Sequence, residues 1–124
     1  VKNEMMALST YDQRKAARKI LLGNAVFSAP GASFNTALTI DFSTGGLSLF
    51  LPKAPDMQGN CAVSFDIPFE YSRHRVMISG RVVSCQQQAP QSYRVGVQFL
   101  HADPVSIDLI KTAIANSNMN VGVV

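Results

Sequence analysis

Two arginines four residues apart open the chemistry of this chain. Arg14-Lys15-Ala16-Ala17-Arg18 has the form R-x-x-x-R. A guanidinium is a planar fork that grips a phosphate with two parallel hydrogen bonds, whereas an ammonium offers only a point charge. Residues four apart fall on the same side of a helix or of an extended chain, so Arg14 and Arg18 can converge in either conformation. With Lys15 and Lys19 they place four cations within six residues and no acid between them. On a chain whose net charge is only +3, that is a local anion-attracting patch. Taken alone, the patch reads first as a solvated basic helix face or a junction to another domain.

A second group of polar residues follows at Asp41-Phe42-Ser43-Thr44-Gly45-Gly46, of the form D-x-S-x-x-G. Asp41 is a hydrogen-bond acceptor, Ser43 donates or accepts as its hydroxyl rotates, and Gly46 has no Cβ, which lets the backbone turn and a ligand approach closely. Asp and Ser turns followed by glycine are also common strand connectors, so this motif has a purely structural reading too. Catalysis finds little support. His74 and His101 are isolated, Ser43 lacks a G-x-S-x-G elbow, and no paired carboxylates or metal-ligand spacings occur. The chain therefore reads as no enzyme, with no metal and no cofactor.

Composition sets the frame for these residues. A chain of 124 residues, 47% apolar and 15% charged, has the makings of one ordinary globular domain with a single core. No apolar run approaches the roughly 18 residues of a membrane-spanning helix, so no direct membrane insertion is expected. The polar start, residues 1–6, has no apolar signal-peptide core. Cys61 and Cys85 lie in strand-like runs and read as reduced thiols. These features point to a cytoplasmic protein or a cytoplasmic domain of a larger one; the start at Val1 suggests an excised domain or a tag remnant.

The elements that must position the two motifs follow from hydrophobic periodicity. Residues 8–19 are polar and helix-tolerant, and are expected as a short helix or an extended lead-in. Strands are expected over 20–28, 33–42, 47–51, 60–69, 75–84 and 93–100, with polar turns or loops between them, including residues 86–92. Gly80 inside the fifth strand suggests a bulge or bend. Asp103-Pro104 then starts a helix whose Val105, Leu109, Ile110, Ala113 and Ile114 recur on one face. Six short strands and one amphipathic helix imply an all-β domain: a small antiparallel barrel flanked or plugged by that helix.

The two motifs in this order, the six-strand-plus-helix pattern and the last strand Tyr93-Arg94-Val95-Gly96-Val97-Gln98-Phe99, with its Gly-x-x-Phe, resemble the PilZ domain family of bacterial cyclic di-GMP receptors. The resemblance covers nearly the whole chain. It implies a six-stranded PilZ-type β-barrel with a C-terminal helix over 20–116. A flexible N-terminal segment, 1–19, would carry the R-x-x-x-R motif, and 117–124 would be a tail.

It further implies that Arg14 and Arg18 clamp the ligand, while Asp41, Ser43 and Gly46 form its pocket on the barrel rim. Cyclic di-GMP carries two phosphates and two guanines. Arginine suits both, and a carboxylate can accept from the N–H groups of a guanine's Watson–Crick edge. The position before the first arginine, Gln13 here, is where the family varies between one ligand and a stacked pair. The expected output is a conformational or partner-interaction change in motility, exopolysaccharide or biofilm control, through a protein partner or a fused output domain. The alternative is a PilZ-like adaptor that binds a protein without nucleotide. A nucleic-acid-binding barrel would need a broad basic groove with exposed aromatic platforms, and the absence of Trp and the localised charge argue against it.

Overall fold

The computed structural model describes residues 18–115. Six strands, β1 (Lys19–Ala29), β2 (Ala32–Phe42), β3 (Gly46–Leu51), β4 (Asn60–Phe69), β5 (Ser72–Ala89) and β6 (Ser92–Ala102), precede one helix, α1 (Pro104–Ala115). The strands close into an antiparallel barrel in the order β1-β2-β3-β6-β5-β4. Closure comes from two pairings between strands distant in sequence, β3 with β6 and β1 with β4. Because every strand has two neighbours, the barrel leaves few backbone groups on an open edge.

Period-two alternation fills the interior. In β4, Val63, Phe65 and Ile67 point inward and are buried, while Ala62, Ser64 and Asp66 face outward. Phe27, Phe42 and Phe65 are fully buried, and the Phe42 and Phe65 rings meet edge to face at 6.4 Å. On β1 both faces are apolar. Leu21, Ala25 and Phe27 enter the core, and Ile20 and Leu22 stand exposed outside.

Gly80 marks a bulge, as its place in a strand suggested. The register between β5 and β6 shifts after Ser79–His101 to Gly80–Phe99, leaving Leu100 as the extra residue. A Cβ at Gly80 would lie 2.6 Å from both the Gln98 carbonyl oxygen and Val97 Cγ1.

The structure corrects two expectations. Residues 86–92 are not all turn: β5 runs on to Ala89, and Pro90 and Gln91 alone separate it from β6. The polar run Gln86–Gln88 is exposed on both faces, so no alternation betrays it, yet its backbone pairs with Arg94 and Tyr93. Val105 is not on the buried face of α1 but 67% exposed; Ser106, Ile110 and Ala113 are the buried residues. A tertiary bond at Ser106, beside the local Asp103 cap, accounts for the rotation. The Ser106 N–H donates to Asp103 Oδ1 at 2.9 Å, and Ser106 Oγ accepts from the Met77 N–H at 3.3 Å. That bond covers the stretch of β5 lying before Ile78, where pairing to β6 begins.

Cys61 and Cys85 are free thiols. Burial pushes the Cys61 thiol up to about 11, which leaves it an unreactive core residue. Arg14, the rest of the expected lead-in through residue 17, and the expected tail lie outside the described residues; Lys19 already belongs to β1.

Candidate ligand-binding site

The β1–β2 ladder brings the two motifs together. Lys19 stands opposite Phe42 and Ile20 opposite Asp41. Continuing that register by one residue sets Arg18 across from Ser43. The guanidinium of Arg18 uses this position twice: Nη2 donates to Asp41 Oδ1 at 2.8 Å, and Nη1 donates to Ser43 Oγ at 3.4 Å. Of the five residues singled out from sequence, Arg18, Asp41, Ser43 and Gly46 therefore cluster at one end of β1, β2 and β3. Arg14 lies outside the described residues.

Ser43 and Gly46 shape the connection between β2 and β3. The Ser43 N–H donates to the Gly46 carbonyl at 2.8 Å, and the Gly45 N–H donates to Ser43 Oγ at 3.2 Å. The Gly45 carbonyl in turn accepts from the Phe99 N–H at 2.9 Å, tying the turn to β6. Ser43 is fully buried, so its hydroxyl serves the turn and anchors Arg18. Gly46 is required by a close approach of strands: a Cβ there would collide with the Val97 carbonyl oxygen.

Outward-facing residues extend the site around the barrel wall. Asp41 pairs across with Ser48, and Ser48 with Gly96 on β6. Ser48 and Gly96, together with Arg18, Gly46, Val83 and Ser84, line a shallow depression of about 240 Å³, and Asp41 stands beside it through its pairing with Ser48. That volume is smaller than a pocket enclosing a whole drug-sized ligand, roughly 300–1,000 Å³. It suits one flat group of a larger molecule laid against the wall.

Arg94 borders the same surface. It sits two residues before Gly96 on the outward face of β6, with Nη2 4.0 Å from Asp41 Oδ2. Asp41 is thus bracketed by two guanidinium groups, one on each carboxylate oxygen, and the local balance is cationic. Sequence reasoning missed Arg94, since its nearness to Asp41 depends on β3 lying between β2 and β6. The signal that could have found it is its alternation with Gly96 and Gln98 on a strand expected to border the glycine turn.

A larger depression of about 630 Å³ lies elsewhere on the wall, over Ser28, Ala62, Ser79 and His101. No arginine or lysine is among its described lining residues, so it lacks the forks that an anionic ligand calls for.

Solved structures share this architecture, two bacterial proteins among them. The inhibitor of motility MotI/DgrA of Bacillus subtilis superposes with a TM-score of 0.66 at 12% identity, over 79% of this chain and 48% of that one. The PlzA protein of Borreliella burgdorferi, solved in complex with c-di-GMP, superposes with a TM-score of 0.58 at 19% identity, over 90% of this chain and 45% of that one. The chain spans about half the length of each, and at these identities the likeness is one of fold. No curated protein matches the sequence. The PilZ domain family matches residues 12–116, a span that takes in both motifs, all six strands and the helix; the chain belongs to the PilZ domain family.

Proposed function

We propose that this chain is a cyclic di-GMP receptor domain, with Arg14, Arg18, Asp41, Ser43 and Gly46 as its ligand-binding residues. The observation that carries the reading is the bond pattern of Arg18, which joins the R-x-x-x-R motif to both polar members of the D-x-S-x-x-G motif. A guanidinium already held in place loses less freedom on binding than a loose one. In this reading Arg14 and Arg18 grip phosphate or guanine, and Asp41 accepts from the N1–H and N2–H donors of a guanine. Ser43 orients Arg18, and Gly46 keeps the wall flat enough for the base to lie against it. No bond is made or broken, so the domain is a receptor and not an enzyme.

Cyclic di-GMP binding then becomes an output through a protein partner or a fused domain. The exposed side chains Ile20 and Leu22 support that step, because Ile20 stands directly opposite Asp41 on the outer surface. Exposed apolar groups beside a polar site are a common mark of protein contact. Motility, exopolysaccharide and biofilm control are the proposed outputs, and the cytoplasm the proposed compartment.

Isothermal titration with cyclic di-GMP at moderate salt, with GTP as the control, tests the proposal. Saturable and selective binding is expected, and its stoichiometry distinguishes one bound ligand from a stacked pair. Silence well above micromolar concentration would leave the adaptor reading, in which the same barrel binds a protein without nucleotide.

A further inference from the structure

We infer that Arg94 reads the guanine base, donating to O6 and N7 of the same ring whose N1–H and N2–H Asp41 accepts. The inference rests on the cyclic di-GMP reading above and deepens it by naming a base-selecting residue on the barrel wall.

The edge of guanine presents donors at N2 and N1, then acceptors at O6 and N7. A matching surface needs a carboxylate and a guanidinium side by side. Asp41 and Arg94 are such a pair, with Arg94 Nη2 4.0 Å from Asp41 Oδ2. That separation is too long for a direct hydrogen bond, so this contact does not use up the fork of Arg94. Arg18 is differently placed. Its two terminal nitrogens point to Asp41 Oδ1 and Ser43 Oγ, which fixes it against the turn.

Arg94 is also accessible, with its side chain 47% exposed, and it flanks Gly96 on the floor of the depression. Successive outward residues on a strand lie roughly 7 Å apart, about the reach needed for a side chain to cover a base lying over Gly96. Adenine would meet this pair with the wrong pattern. Its amino group would face the donors of Arg94, and its bare N1 would face the carboxylate.

The bland alternative is that Arg94 merely neighbours Asp41 as a surface charge, which a lysine would do as well. Titration of the wild-type chain, Arg94→Ala and Arg94→Lys with cyclic di-GMP separates the two. Loss of a bidentate arginine–guanine contact should weaken Arg94→Ala by roughly 5- to 150-fold. Arg94→Lys should remain well below wild type, because an ammonium cannot fork to O6 and N7. Since the side chain is half exposed on a paired strand, both variants should keep the wild-type melting temperature within a few degrees. Wild-type affinity in Arg94→Ala, or full recovery in Arg94→Lys, would overturn the assignment while leaving the receptor reading intact. Silence of the wild-type chain itself would remove the receptor reading and this one with it.

Discussion

Arg18 and Asp41 form a 2.8 Å ion pair across the seam between β1 and β2. It links two motifs 23 residues apart, and it exists because the ladder sets Lys19 opposite Phe42. The pair is partly exposed, so its worth to the fold is modest, about 0–1 kcal/mol. Its larger effect is geometric: Arg18 is held beside Asp41, and Arg94 stands at the other carboxylate oxygen.

Replacing Arg18 by Ala should therefore separate binding from folding. Affinity for cyclic di-GMP should fall by roughly 10- to 150-fold, the loss expected for a charge-assisted contact of about 1.5–3 kcal/mol. The melting temperature should change little. Arg18→Ala binding as tightly as wild type in calorimetry would refute the clamp.

Gly46→Ala should do the reverse and damage the fold first. The added Cβ would run into the Val97 carbonyl oxygen, a backbone atom of the paired strand that cannot swing aside. Overpacking of this kind costs about 1–3 kcal/mol, which should lower the urea midpoint and, through the displaced floor, weaken ligand binding as well. An unchanged midpoint would mean that β3 and β6 can spread apart freely and that the glycine answers to the ligand alone.

These two residues also mark how far the sequence could be read. Elements with one buried face were legible, as in β4, where Val63, Phe65 and Ile67 alternate with smaller or polar residues. The run Gln86–Gln88 was not, because a strand exposed on both faces carries no hydrophobic period. The place of Val105 failed for another reason: the Asp103 cap is local and could be read, but the bond from the Met77 N–H to Ser106 Oγ, which turns Ser106 toward the barrel, joins residues 29 apart and is tertiary. At the site, motif residues could be picked out by type and spacing. Arg94 could not, since only the strand order β2-β3-β6 brings it to Asp41.

The start of α1 should confer a stability that depends on pH. Hydrogen bonds from the Ser106 side chain and backbone N–H hold the Asp103 carboxyl below the usual aspartate range. A carboxyl lowered in the folded state contributes stability fully above its unfolded pKa, about 3.9, and loses it as pH falls through the lower folded value. Asp103→Asn keeps a capping oxygen and removes the titration. Thermal unfolding between pH 2 and 5 should thus be less steeply pH-dependent in Asp103→Asn than in wild type. Parallel curves would show that the cap is not charge-assisted.

The hairpin between β4 and β5 should be open to improvement. Its two turn residues, Glu70 and Tyr71, both hold positive φ, 51° and 68°. Two-residue hairpin turns of this hand favour Asn and Gly, because a Cβ in the left-handed region costs roughly 1–2 kcal/mol. Tyr71 is fully exposed, so removing its ring gives up no burial. Glycine at 71 relieves the backbone but adds freedom to the unfolded chain, a cost of about 0.5–1 kcal/mol. The net gain expected for Tyr71→Gly is about 0.5–1 kcal/mol, a rise of roughly 2–5 °C in melting temperature for a domain of this size. A fall in melting temperature would mean instead that the tyrosine ring contributes more to the hairpin than its backbone strain removes.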